Sequence, residues 1–214
     1  MNLNDNSSSN ADNHNNNNKS LSVHNNWFKE ISTQKTLEIG LVQVYTGNGK
    51  GKTTAALGQV LRASGHNLKS VIIQFLKGGS YSGEFKAFKA IEKCFPLIKI
   101  YQVGRPFFIN KENIPQKDIE LNRKGLTLAE GIAVGKNDIS ILVLDEVNVA
   151  LNLGIIKTEE VINLIKNKKP DIELILTGRN APKEIIDIAD LVTEMNEIKH
   201  YYSKNIPSRT GIEK

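Results

Sequence analysis

Three glycines in five residues, Gly47, Gly49 and Gly51, are followed by Lys52, Thr53 and Thr54. Glycine permits positive φ and close approach of the backbone to a ligand, so successive N–H groups can point at phosphate oxygens. A helix starting near Thr53 adds its partial positive charge. Lys52 is placed to reach the outer phosphates and Thr53 to offer its hydroxyl to Mg²⁺. The usual P-loop pattern has glycine where this chain has Thr46, and Lys50 adds a second cation to the loop. A second candidate group closes the apolar run ISILVLD, ending in Asp145-Glu146. Carboxylates at the end of a buried strand can hold Mg²⁺, directly or through water, opposite the Thr53 hydroxyl. The plainer alternatives are a glycine turn that only joins strand to helix, and an Asp145 that only caps the next helix.

The elements that must position these residues alternate regularly. Leu41, Val42 and Val44 read as a buried strand before the loop. The helix after it is expected to end near Ser64, with Gly65 as its C′ residue. Strands follow at Val71 to Phe75, Leu97 to Val103, Ile139 to Asp145, Ile172 to Thr177 and Leu191 to Met195. Between them the spacing predicts helices from Glu84 to Cys94, from Pro115 at the first helical position to Val134, from Thr158 until Pro170 stops it, and from Pro182 to Asp190. The segment Ser80 to Glu84 is a loop at a strand's carboxyl end, where open α/β sheets bind ligands. Gly104-Arg105-Pro106-Phe107-Phe108 breaks the third strand, and its aromatics are either an apolar flap over a ligand or a core plug. Alternating β and α units imply a single α/β domain: a mostly parallel sheet flanked by helices, of the P-loop NTPase (RecA-like) class.

Composition narrows the function classes. The chain has 214 residues, 39% hydrophobic and 24% charged, with a net charge of +5. That charge suits a phosphate-bearing substrate and is too dispersed for a nucleic-acid surface. One cysteine, Cys94, allows no intrachain disulfide and fits a reducing cytoplasm; its apolar neighbours point to an inert buried thiol. No apolar run is long enough to span a membrane, and the first residues lack the apolar centre of a signal peptide. Residues 1–26 hold eleven asparagines and five serines and are expected to stay disordered, with His14 and His24 solvated. Residues 27–40 regain apolar character, and Trp27, Phe28 and Ile31 suit a short docking segment before the domain at 41–214. No G-x-S-x-G and no Cys-His pair supports covalent catalysis by a side chain. Asn110-Lys111-Glu112-Asn113 misses the guanine signature Asn-Lys-x-Asp at its last residue.

Four separated blocks resemble the P-loop corrinoid adenosyltransferases, the cob(I)yrinic acid a,c-diamide and cobalamin adenosyltransferase family. They are YTGNGKGKTTAALG with LRASGH, VIIQFLKGG, LVLDEVNVALNLG, and LILTGRNAP with ADLVTEM and IKHYY. The family itself reads TGNGKGKT, so Thr46 is no departure from it. The resemblance implies transfer of the 5′-deoxyadenosyl group of ATP to Co(I) of a reduced corrinoid, with triphosphate released. It implies that Asn48 to Thr54 hold the triphosphate with ATP reversed in the loop, that Thr53 and Glu146 bind Mg²⁺ with Asp145 acting through water, and that Arg62 adds a phosphate contact. Phe107 and Phe108 fall where the family places aromatics below the corrin, although Ile109 stands where some members have tryptophan. A homodimer and a reduced flavin or flavoprotein donor are also implied. The competing readings are a P-loop ATPase or kinase cleaving at the γ-phosphate, a RecA-like nucleic-acid-binding protein and an ATP-sensing module without turnover.

Overall fold

The structure is a computed structural model that describes residues 36–79, 82–94, 96–106 and 111–213. The expectations for the tail, for Trp27, Phe28 and Ile31, for the Cys94 side chain and for Phe107 to Asn110 fall outside the described residues. Six strands, β1 (Val42–Thr46), β2 (Lys69–Phe75), β3 (Ile98–Val103), β4 (Ile139–Asp145), β5 (Glu173–Thr177) and β6 (Leu191–Glu194), form one sheet in the order β3-β2-β4-β5-β1-β6. Every pairing is parallel. The helices are α1 (Lys52–Ser64), α2 (Gly83–Cys94), α3 (Gln116–Val134), α4 (Val147–Asn152), α5 (Thr158–Asn167) and α6 (Lys183–Ile186). Among the described residues no helix is long and apolar enough to cross a membrane.

Why the central strands read as unbroken apolar runs is clear from the two cores. Ile72, Ile141, Val143 and Ile175 pack with Ala56, Leu57 and Val60 of α1 and Phe88 of α2. The alternate residues Val71, Ile73, Leu142, Leu144, Leu174 and Leu176 pack with Leu126 and Ala129 of α3, Val147 of α4 and Val161 and Leu164 of α5. A sheet covered on both faces needs apolar side chains at both parities. The period of two still matters, because it fixes which face the last residue of each strand meets.

Several element ends differ from the sequence reading. The helix after Pro182 spans only Lys183–Ile186 instead of reaching Asp190. Asp190 is claimed by β1: its N–H donates to the Val42 carbonyl at 2.9 Å and its carboxylate accepts from the Val42 N–H at 2.8 Å. Gly65 has φ −64 rather than a left-handed conformation, and the left-handed residue of that turn is Asn67 at φ 62. Pro115 is the N-cap of α3 rather than its first residue. A new helix, α4, begins directly after Glu146, and Glu146 rather than Asp145 stands at its N-cap.

The loop after β2 is tightly built. Leu76 has φ 59, a costly conformation for a bulky residue, and its N–H donates to the buried Asn122 Oδ1 at 2.9 Å. The backbones of Gly78 and Gly104 touch, and a Cβ on Gly104 would lie 2.5 Å from the Leu76 carbonyl carbon. Gly104→Ala is therefore expected to destabilise by about 1–3 kcal/mol through overpacking. Gly58, inside α1, has nothing within 4 Å of the place a Cβ would take. Gly58→Ala is expected to stabilise by about 0.5–1 kcal/mol through helix propensity. Urea unfolding of both variants checks the pair, and equal effects would contradict this packing.

Candidate active site

Four strands carry a polar residue at their last or next-to-last position on the face covered by α1. Counting by two from Ile100, Ile72, Val143 and Ile175 leads to Gln102, Gln74, Asp145 and Thr177. Register puts Gln102 opposite Gln74 and Gln74 opposite Asp145. The side chains form one chain of hydrogen bonds. Gln102 Nε2 donates to Gln74 Oε1 at 3.1 Å, and Gln74 Nε2 to Asp145 Oδ2 at 3.0 Å. Thr177 Oγ1 and Thr53 Oγ1 both donate to Asp145 Oδ1 at 2.7 Å. Lys77 Nζ completes the set, 2.8 Å from Asp145 Oδ2 and 3.8 Å from Glu84 Oε1. Asp145 is fully buried. Burial disfavours its charge, but the attraction of Lys77 and hydrogen bonds from Lys77, Thr177 and Thr53 outweigh this and hold the carboxyl below its usual range. Burial likewise works against the Lys77 charge, and Asp145 more than offsets it, so the ammonium titrates above the usual lysine range.

Glu146, one residue on, has a different environment. It sits at φ 63, its N–H donates to Thr177 Oγ1 at 3.0 Å, and its carboxylate makes no hydrogen bond or ion pair among the described residues. Burial and the neighbouring Asp145 charge push its carboxyl up, against the pull of Lys77, Lys52 and Arg179. A carboxylate without a donor, surrounded by three cations and next to a threonine hydroxyl, is a ready oxygen ligand.

The glycine loop joins β1 to α1 around Lys52. The buried Lys52 ammonium donates to the carbonyls of Gly47 and Gly49, both at 2.7 Å, which turns these oxygens to one side. Burial lowers its affinity for the proton, Glu146 opposes this and Arg179 adds to it. Gly47 and Gly51 have φ 92 and 126, values that favour glycine. The end of β6 braces the loop, with the Gly49 N–H donating to the Met195 carbonyl at 2.6 Å. A Cβ on Gly47 would lie 2.5 Å from that same oxygen. Helix geometry leaves the amides of Lys52, Thr53 and Thr54 without intrahelical acceptors at the loop's mouth.

The model of the family ATP:corrinoid adenosyltransferase BtuR/CobO/CobP matches residues 38–213. The chain belongs to this family. Its similarity to individual members is spread along the same region. A corrinoid adenosyltransferase from Sinorhizobium sp is 36% identical over 187 residues, covering 86% of this chain and 85% of that protein. The corrinoid adenosyltransferase of Pseudomonas aeruginosa is 34% identical, covering 82% and 84%, and that of Escherichia coli K12 is 30% identical, covering 82% and 86%. The family has a P-loop NTPase-like fold, in agreement with the six-stranded parallel sheet. The protein is thus an ATP:corrinoid adenosyltransferase, and cleavage at the γ-phosphate for another target is not favoured.

Within the adenosyltransferase the residues nominated by sequence do not all meet. Lys52, Thr53, Asp145 and Glu146 converge, whereas Arg62 does not. It lies ten residues beyond Lys52 in α1, about 15 Å along the axis at 1.5 Å per residue, and donates to Gln59. Arg62 instead lines an open cavity of about 240 Å³ with Leu37, Ile39, His66 and Glu173. Lys50 points away from the loop's mouth to the chain's end, donating to the Ile212 carbonyl at 2.8 Å. Asn48 and Thr54 are exposed at the loop. Sequence reasoning misses Gln74, Lys77 and Thr177; for Gln74 and Thr177 the available signal is a shared parity at the strand ends. Thr177 both donates to Asp145 and accepts from the Glu146 N–H. Thr177→Val is expected to cost about 1–3 kcal/mol by leaving the Glu146 N–H unpaired and removing one of the four donors to the buried Asp145 carboxylate, and Thr177→Ser to retain stability. Denaturant unfolding of the two variants checks this.

Proposed function

We propose that the enzyme performs adenosyl transfer with Lys52, Thr53 and Glu146 as the groups that stabilise the departing triphosphate. The C5′–O bond of ATP breaks with its electron pair leaving on triphosphate, while the electron pair of Co(I) forms the Co–C bond. The nucleophile belongs to the corrinoid, so the protein has no proton to abstract and no covalent intermediate to form. Its task is to offset charge growing on the leaving group. Two of the three Lys52 donors are taken by loop carbonyls, which leaves one for a phosphate oxygen. The amides at the start of α1 add further donors, with Asn48, Gly51, Thr54 and the backbone of Lys50 lining the cradle and Gly49 bracing it, while the Lys50 side chain is held at Ile212.

Mg²⁺ fits these residues. The Thr53 hydroxyl donates its hydrogen bond to Asp145 and so keeps its oxygen lone pairs for a cation, and Glu146 supplies the unpaired carboxylate. Among the described residues no group of three or more His, Cys, Asp or Glu gathers around one point. Two oxygen ligands beside substrate phosphates are what Mg²⁺ commonly uses. A bound Mg²⁺ would supply electrostatic stabilisation of the triphosphate. The observation that carries the reading is the Thr53–Asp145 hydrogen bond next to the donor-free Glu146 carboxylate. We place Phe107 and Phe108 at the lower corrin face and extend the reading to a cytoplasmic homodimer served by a reduced flavin or flavoprotein.

The test is anaerobic incubation with ATP, Mg²⁺ and chemically reduced cob(I)alamin. The expected products are a photolabile Co–C species and inorganic triphosphate, and phosphate release without photolabile corrinoid would reject the reading. Lys52→Ala and Glu146→Gln are each expected to lower kcat/KM by about 10²-fold or more, the scale of losing a preorganised charge-stabilising group. Excess chelator is expected to abolish turnover of the wild type. Phe107→Ala should lower turnover with cob(I)alamin while leaving ATP binding intact, as measured by calorimetry.

A further inference from the structure

Lys77 is the member of the site that the triphosphate chemistry leaves without a task. It is placed with care. The residue before it is held at φ 59 by Asn122, and Gly78 after it is pressed against Gly104. Asn122 in turn donates to the Asp118 carbonyl at 2.7 Å, and the buried Asp118 carboxylate takes both arms of Arg105 at 2.9 and 2.7 Å. This bracing sets where the Lys77 side chain leaves the backbone.

Asp145 shows what that placement does. A carboxylate has about four acceptor sites. Here Oδ1 takes the hydroxyls of Thr53 and Thr177, and Oδ2 takes the Gln74 amide and the Lys77 ammonium. A carboxylate so filled has no site left for a cation unless a donor leaves. Gln74 is fully buried and itself held by Gln102, whereas the Lys77 side chain is 27% exposed. Lys77 is therefore the donor whose loss would open Oδ2.

We propose that Lys77 is a positioning residue for the metal–triphosphate site, occupying Asp145 Oδ2 so that this carboxylate stays turned to Thr53 and outside the cation's coordination, which falls to Thr53 and Glu146. The assignment rests on the reading of the loop as a Mg²⁺–triphosphate site. Without Lys77, Asp145 competes with Glu146 for the cation and releases its grip on the Thr53 hydroxyl. The groups that face Asp145 are then two hydroxyls and one amide, with no charge to balance it.

Calorimetric titration of the full chain with inorganic triphosphate, once in Mg²⁺ and once in chelator, tests this. Lys77→Met is expected to weaken the Mg²⁺-dependent affinity about tenfold or more while leaving the metal-free affinity within about twofold. Lys77→Arg, which keeps the charge and the donor, is expected to recover most of the loss. An equal fall in both conditions would make Lys77 a direct phosphate ligand and overturn the positioning assignment, as would a Lys77→Met protein that binds like wild type. Lys77→Met leaves a buried carboxylate unpaired, so the comparison is also made in the Asp145→Asn background. There the substitution should change nothing further, and a second tenfold loss would overturn the proposal. Wild-type protein that binds triphosphate no better with Mg²⁺ than without would reject the metal–triphosphate reading itself, and that result needs no variant.

Discussion

The Asp145 carboxylate is the point on which this structure turns. A buried charge is tolerated only when its attraction to partners offsets its lost hydration, and removing one partner commonly costs several kcal/mol. Asp145 meets this demand with donors from four places: α1, β2, the loop after β2 and β5. None of these is adjacent to Asp145 in sequence. Satisfying one carboxylate therefore fixes the first turn of α1, and with it the mouth of the glycine loop, against the ends of β2, β4 and β5. The hydrogen bonds needed for solvation and the geometry needed for chemistry are the same bonds.

Backbone strain gathers at the same edge of the sheet. Leu76 and Glu146 both adopt left-handed conformations that cost non-glycine residues of order 1–3 kcal/mol. Each is held by a side chain from another element, Asn122 on the Leu76 N–H and Thr177 on the Glu146 N–H. The turn at Glu146 ends β4 abruptly and separates two consecutive carboxylates into different surroundings. Asp145 stays in the sheet among donors, and Glu146 leaves it without one. Strain at these two positions thus accompanies the assignment of different electrostatic environments to neighbouring residues of like charge.

Much of this is legible in the chain and some is not, for physical reasons. The glycine loop and the acidic strand end are local patterns, so GNGKGKTT and LVLDE announce themselves, as does the alternation that yields a parallel sheet. Thr46 where other P-loops have glycine is explained by its place: it is the last residue of β1, extended, and its Oγ1 accepts from the Ala181 N–H at 3.2 Å, while the positive φ values fall on Gly47 and Gly51. Gln74, Lys77 and Thr177 are separated from Asp145 by tens of residues and meet it only through register, which a single sequence does not state. The phosphate contact proposed for Arg62 comes from its position in a motif alone; in the fold Arg62 stands ten residues along α1 from Lys52, with its guanidinium on Gln59. The overlong helix after Pro182 fails because a tertiary partner, the Val42 backbone, captures Asp190.

The division of labour between the two carboxylates and the two lysines argues for what kind of catalyst this is. A general base needs a group poised to accept a proton from a reacting atom. Asp145 is filled with donors and held in its charged form, and Lys77 is held charged beside it, so neither is arranged to exchange protons. Lys52 and Glu146 face each other's charge across the mouth of the loop, with their proton affinities drawn toward one another by burial. Both groups are in place, with opposite charges, before any substrate arrives. Charges and dipoles fixed in this way act most strongly when negative charge builds on a departing group. That matches an adenosyl transfer that expels triphosphate, and it locates the protein's contribution in fixed dipoles and ions rather than in proton transfer.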